Sequence, residues 1–154
     1  MNIEDILEPG SVIANLHATS KKQVLQELSK AAGEILKTDA RQVFDILVER
    51  ERLGSTGVGS GLVIPHGKLP GLDHLQGVFA RLEKPVDFDS IDDEPVDLVF
   101  LLLAPEGAGA DHLKALAGIA RLFREAEVVN KLRASSDKSA LYAVLTEGAT
   151  PDAA

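Results

Sequence analysis

The sequence predicts an α/β domain in which helices and strands form separate layers. Three observations carry that reading. The order of patterns along the chain is helices, then several strands, then helices, which suits a layered α/β domain. The segment Val96–Ala104 is almost wholly apolar, as a central strand covered on both faces must be. The chain has 154 residues and a hydrophobic share of 45%, enough for one sizeable core. Aromatics are only 4%, so Leu, Val, Ile and Ala must fill that core. A single domain is expected over 1–148, with 149–154 as a frayed tail.

The elements follow in order. Pro9-Gly10 breaks the first segment, and Val12–Leu16 reads as an edge strand. Ser20 and Gln23 form a capping-box pattern ahead of a helix with Val24, Leu25, Leu28, Ala31, Ala32 and Ile35 on one face. Asp39 and Gln42 offer a second cap, followed by the stripe Val43, Phe44, Ile46 and Leu47 and a polar end, Glu49-Arg50-Glu51-Arg52, which Gly54 stops. Leu62–Ile64 reads as a short buried strand and Gly77–Leu82 as another; Pro85–Pro95 reads as an acidic turn. After Val96–Ala104, the small-residue run Pro105–Ala110 is expected to be a loop. Asp111 is expected to cap a helix beginning at His112, with Leu113, Leu116, Ile119, Ala120 and Phe123 buried. A shorter helix around Val128–Leu132 and one capped by Asp137 complete the chain.

Composition narrows the function. The net charge of -8 argues against a nucleic-acid binder and against an anionic membrane surface. With no cysteine, disulfides, thiolate catalysis and cysteine-ligated zinc are excluded. The acidic start lacks a signal-peptide pattern, and the longest apolar run is too short to span a bilayer, so a cytoplasmic protein is expected. The four histidines have no metal-ligand spacing, and neither a metal nor a cofactor is expected.

One stretch concentrates unusual chemistry: Gly54–Lys68, reading GSTGVGSGLVIPHGK. It fails the dinucleotide fingerprint, because its glycines follow a helix and lead into a strand. It also fails the P-loop spacing and lacks the Ser or Thr after Lys68. What remains is a loop with exposed amides, among them that of Gly57, and the hydroxyls of Ser55 and Thr56, able to donate to an anion. An ordinary turn explains such a loop equally well. His66, held between Pro65 and Gly67 at a strand end, is less easily explained that way. A neutral imidazole is a good nucleophile toward phosphorus, so His66 is the candidate to carry a phosphoryl group, with Gly67 leaving space beside the ring. His112, near a positive helix N-terminus, is the second candidate, against the alternative of a surface histidine. Arg50 is the third; a guanidinium about 4 Å from a phosphoryl group contributes on the order of 4 kcal/mol per unit charge near a surface, before desolvation. The competing reading pairs Arg50 with Glu49 or Glu51.

These residues resemble a known family. Arg50-Glu51, Gly54-Ser55-Thr56-Gly57 and Ile64-Pro65-His66-Gly67-Lys68 resemble the signature of the fructose/mannitol-type enzyme IIA proteins of the bacterial phosphoenolpyruvate phosphotransferase system, above all their stand-alone nitrogen-regulatory branch. Pro85–Asp89, Pro95-Val96-Asp97, His112-Leu113 and Thr150-Pro151-Asp152 extend the likeness over nearly the whole chain. Ser60 departs from it, standing where Asn is expected. The resemblance implies a mixed parallel and antiparallel sheet of four to five strands with helices on both faces. It implies a phosphohistidine at His66, on Nε2, formed from an HPr-like carrier protein. Arg50 and His112 would line the site, with Ser55, Thr56, Gly57 and Gly67 near the phosphate. Regulatory targets such as potassium transport proteins or sensor kinases are implied as partners. Two alternatives stay open: a sugar-specific enzyme IIA passing phosphate to a separate IIB, and a binding module whose His66 is never modified.

Overall fold

The computed structural model describes residues 2–148. Two short 3-10 turns, Ile3–Asp5 and Pro9–Ser11, lead into β1 (Val12–Leu16). The helices α1 (Lys21–Leu36) and α2 (Ala40–Arg52) follow, then three short strands, β2 (Gly57–Gly59), β3 (Leu62–Val63) and β4 (His66–Lys68). The long strands β5 (Gln76–Val86) and β6 (Val96–Ala104) come next, and α3 (Gly109–Leu122), α4 (Ala126–Ala134) and α5 (Lys138–Gly148) close the described chain. The expected tail, 149–154, lies outside the described residues.

The sheet runs β1-β5-β6-β3-β2, with β4 also paired to β6. β5 and β6 are antiparallel, whereas β1 on β5 and both β3 and β4 on β6 are parallel. The mixed sheet is therefore as expected, with six strands where four to five were anticipated. The surplus comes from the glycine stretch. β2 folds back on β3, and β4 resumes the line of β3 after a break. The pairs Leu62↔Leu98 and Val63↔Val99 keep the same register as His66↔Leu102 and Gly67↔Leu103. The break falls at Ile64-Pro65 because proline has no N–H to give to the ladder; its carbonyl still accepts from the Leu102 amide at 3.0 Å.

The alternation along β6 separates two cores. Leu98, Phe100 and Leu102 face α3, α4 and α5, whereas Val99, Leu101 and Leu103 face α1 and α2. That is why the segment shows no polar face: both sides are covered. Ser20 accepts from the Gln23 amide at the start of α1, and Asp39 from the Arg41 amide at α2. Asp137 accepts from the Ala140 amide at α5.

Three local expectations change. β5 extends through Pro85 to Val86, so the acidic turn is shorter; the ladder shifts register between Arg81 and Val86, which leaves Pro85 no hydrogen bond to break. α3 begins at Gly109, with Ala108 rather than Asp111 at the cap, because the Pro105–Ala108 turn runs straight into the helix. Its buried stripe is correspondingly His112, Ala115, Ile119 and Leu122, and Leu113 is 69% exposed.

Candidate functional site

Three elements far apart in sequence meet at His66. β4 places it beside β6, in register with Leu102 near the end of that strand. The chain leaves β6, turns, and returns as α3, which brings His112 back over the same strand end. The two imidazoles lie 5.6 Å apart between centroids at an interplanar angle of 73°. From the opposite layer, α2 delivers Arg50, whose Nε–H donates to His66 Nε2 at 3.1 Å. Arg50 also donates to the Gly54 carbonyl at 2.9 Å, which ties the guanidinium to the glycine stretch. The competing surface pairing for Arg50 is not adopted: Glu49 pairs with Arg52, and Glu51 with Lys21.

The approach of α2 depends on Gly67. A Cβ at that position would fall under 3.0 Å from Ile46 Cγ2 and 3.7 Å from Ile46 Cβ. Ile46 and Arg50 stand four residues apart and share a helical face. The empty side of Gly67 thus admits Ile46, and Ile46 sets the distance from which Arg50 reaches the ring. The space beside His66 expected at Gly67 is occupied by α2.

His66 is polarised in one direction. Its Nδ1–H donates to the Ile64 carbonyl at 2.7 Å, so Nε2 carries the lone pair that receives Arg50. Burial holds its pKa below the ordinary histidine value of 6.5; the Ile64 bond and the Glu51 charge oppose this, and Arg50 adds to it. Burial also lowers the pKa of His112, with His66 and Lys68 acting in the same direction. Both rings are therefore neutral near pH 7, the state a nucleophilic imidazole needs. His112 is 8% exposed, and its Nε2 has no hydrogen-bond partner among the described residues. A buried polar atom without a partner, beside a nucleophile and in the first turn of a helix, is suited to an incoming anion.

The loop residues divide. Ser55 Oγ accepts from the Gly57 amide at 3.1 Å. Thr56 is buried, and both its hydroxyl and its amide are directed to the Glu51 carboxylate. Ser60 adopts a left-handed backbone, φ 56°, a region where Asn is enriched, and its amide is held by Asp92 at 3.0 Å. From the sequence, Glu51 is part of the Arg50-Glu51 signature and a surface partner for Arg50, with no role of its own. A signal existed: Val43, Leu47 and Glu51 repeat at four-residue spacing, so Glu51 continues a buried stripe.

The family model described as "Phosphoenolpyruvate-dependent sugar phosphotransferase system, EIIA 2" matches residues 5–148. The chain belongs to this EIIA 2 family. Curated relatives agree. A nitrogen regulatory protein of Bradyrhizobium diazoefficiens is 57% identical over 94% of this chain and 95% of its own length. One from Pseudomonas aeruginosa is 41% identical over 96% of both chains. The crystal structure of nitrogen regulatory protein IIA-Ntr from Neisseria meningitidis superposes with a TM-score of 0.87 at 35% identity, covering 94% of this chain and 99% of that one. EIIA 2 membership and these relatives support a phosphocarrier or regulatory role in the phosphotransferase system. Among the described residues no helix is long and apolar enough to cross a membrane.

Proposed function

We propose that this EIIA 2 chain accepts a phosphoryl group on Nε2 of His66 from a phosphorylated HPr-like carrier, and that its phosphorylation state governs binding to regulatory targets. The observation that carries this is the polarised imidazole: Nδ1–H is given to the Ile64 carbonyl, and the Nε2 lone pair is turned toward Arg50. In the transfer, the Nε2 lone pair forms a bond to phosphorus while the carrier's own phosphorus bond breaks and its electron pair stays with the carrier. His66 keeps its Nδ1 proton throughout. The group gained carries roughly -1.5 to -2 charges near neutral pH. Arg50 passes from Nε2 to the phosphoryl oxygens, and His112, in its Nε2–H tautomer, donates to another. The Ser55 hydroxyl, which accepts from the Gly57 amide and keeps its own proton to donate, is the remaining candidate to contact the phosphate; the Gly57 amide is already given to Ser55, and Gly67 lies within the β4–β6 ladder.

Regulation follows from that change of charge beside exposed apolar side chains. Leu53, 84% exposed, ends the helix that carries Arg50, and Leu113 directly follows His112. Partners sensitive to the phosphoryl group would read such a border; potassium transport proteins and sensor kinases are the classes suggested by the nitrogen-regulatory likeness. The test is incubation with phosphoenolpyruvate, enzyme I and HPr carriers of both the sugar and nitrogen types. Acid-labile, base-stable label that disappears in His66→Ala supports the proposal. A folded protein left unlabelled by every donor refutes it. Fast onward transfer to a sugar-specific IIB would instead assign the chain to sugar uptake.

A further inference from the structure

We propose that Glu51 is a positioning residue for His66: through Thr56 and the Ile64 peptide, it holds the carbonyl that fixes which imidazole nitrogen carries the proton. This rests on the reading of His66 as the phosphoryl acceptor.

Glu51 lies in the last turn of α2 with its side chain only 5% exposed. A buried carboxylate is costly unless charge and hydrogen bonds compensate it. Lys21 Nζ stands 3.0 Å from Oε2, and the Thr56 hydroxyl donates to Oε1. The Thr56 amide adds a longer contact to Oε2 at 3.4 Å. Lys21 is the first residue of α1, the helix end where a cation is disfavoured. It is held there by Glu51 and by the Phe88 ring, whose centroid lies 5.0 Å from Nζ. The start of α1, the end of α2 and the glycine stretch therefore converge on one carboxylate.

From Thr56 the linkage runs straight to the nucleophile. The Thr56 carbonyl accepts from the Ile64 amide at 3.0 Å, and the Ile64 carbonyl accepts Nδ1–H of His66 at 2.7 Å. Ile64 falls in the break between β3 and β4, ahead of a proline, so Thr56 supplies the restraint there that a continuous strand would take from the sheet. When Thr56 is released, the Ile64 carbonyl is free to tilt away and Nδ1 loses its acceptor. Arg50, which also holds the Gly54 carbonyl, can then turn off Nε2 as the proton moves there, and an imidazole protonated at Nε2 has no lone pair for phosphorus. Thr56 serves the site from behind, with its hydroxyl given to Glu51 rather than to the phosphate. The Glu51 charge acts in the same sense by raising the basicity of His66 against burial and Arg50.

The test uses Glu51→Ala and Thr56→Val, with Glu51→Gln and Thr56→Ser as conservative partners and circular dichroism to confirm folding. Thr56→Val keeps the Lys21–Glu51 pair, so it remains informative if Glu51→Ala does not fold. The first readout is the imidazole 15N spectrum of His66 in unphosphorylated protein, which needs no carrier. The wild type is expected in the Nδ1–H tautomer, with Nε2–H appearing in Thr56→Val and Glu51→Ala and the conservative variants reverting. The second readout is single-turnover phosphoryl acceptance: the rate at saturating carrier falls roughly ten- to a hundredfold while the carrier concentration giving half that rate stays within about twofold. A wild-type tautomer in folded Thr56→Val overturns the inference even if His66 is phosphorylated. A wild type that accepts no phosphoryl group, yet shows the tautomer shift in the variants, refutes the phosphoryl-acceptor reading and leaves the positioning role standing.

Discussion

Gly67→Ala isolates the packing that brings Arg50 to His66. The added methyl carbon would fall under 3.0 Å from Ile46 Cγ2. Carbon atoms rest at roughly 3.5–4.0 Å, so at least about 0.5 Å must be recovered. Ile46 cannot swing aside cheaply, because a β-branched side chain in a helix has one strongly preferred rotamer. The helix must retreat instead, and Arg50, one turn on, retreats with it. Its 3.1 Å bond to His66 Nε2 has little slack before it ceases to be a hydrogen bond. Overpacking of this kind costs about 1–3 kcal/mol. Misplacement of a phosphate-facing group lowers phosphoryl acceptance by roughly ten- to a hundredfold. Thermal melts and single-turnover labelling would measure both. Ile46→Ala removes the obstructing methyl, so the double variant should recover rate relative to Gly67→Ala, with a coupling of about 0.5–3 kcal/mol in the stability cycle. Wild-type stability and rate in Gly67→Ala, or strict additivity in the double variant, would refute the packing argument.

Other outcomes follow from the same geometry. Arg50→Ala should lower acceptance by roughly a hundredfold, as loss of a charged donor at a developing anion does, with Arg50→Lys recovering only part; quench-flow labelling decides it. His112→Ala should slow labelling with the fold intact, and wild-type kinetics would remove its assigned role. The acceptance rate should stay level as pH drops through 6.5, the ordinary histidine value, and fall only at the lower pKa of His66. Stability changes earlier: the unfolded chain binds protons that folded His66 and His112 do not, so stability declines as pH falls from 6.5 toward the depressed values and then levels off. Denaturant midpoints across that window would show the slope. Leu101→Ala, fully buried on the α1–α2 side of β6, should cost about 2–5 kcal/mol by chemical denaturation.

Much of this arrangement was legible in the residues. β6 announced itself by length and residue type: a near-continuous apolar run with Val and Phe, too short for a typical buried helix, suits a strand covered on both faces. The starts of α1, α2 and α5 were marked by Ser20, Asp39 and Asp137, whose side chains accept from backbone amides as their patterns suggested. The start of α3 was misplaced by less than one turn: its first residues are small and carry no capping side chain, so Asp111 drew attention that belonged to Ala108. β4 was invisible because three residues after a proline carry no periodicity; only the register of β6 defines it. Arg50, His66 and His112 were singled out as candidates by chemistry and by family likeness, and their meeting is a tertiary fact. Glu51 received no role of its own because a charged residue among charged neighbours reads as solvated surface, although its four-residue spacing from Leu47 placed it on the buried stripe.

Nδ1 of His66 is committed to the Ile64 carbonyl, and Nε2 is the proposed phosphoryl acceptor. The most direct measurement is 15N and 31P NMR of the protein after phosphorylation by its carrier. One phosphohistidine is expected, at His66, with phosphorus bonded to Nε2 and the Nδ1 proton retained. Phosphorus on Nδ1, a phosphoryl group on another residue, or none in folded protein supplied with a competent donor would contradict it.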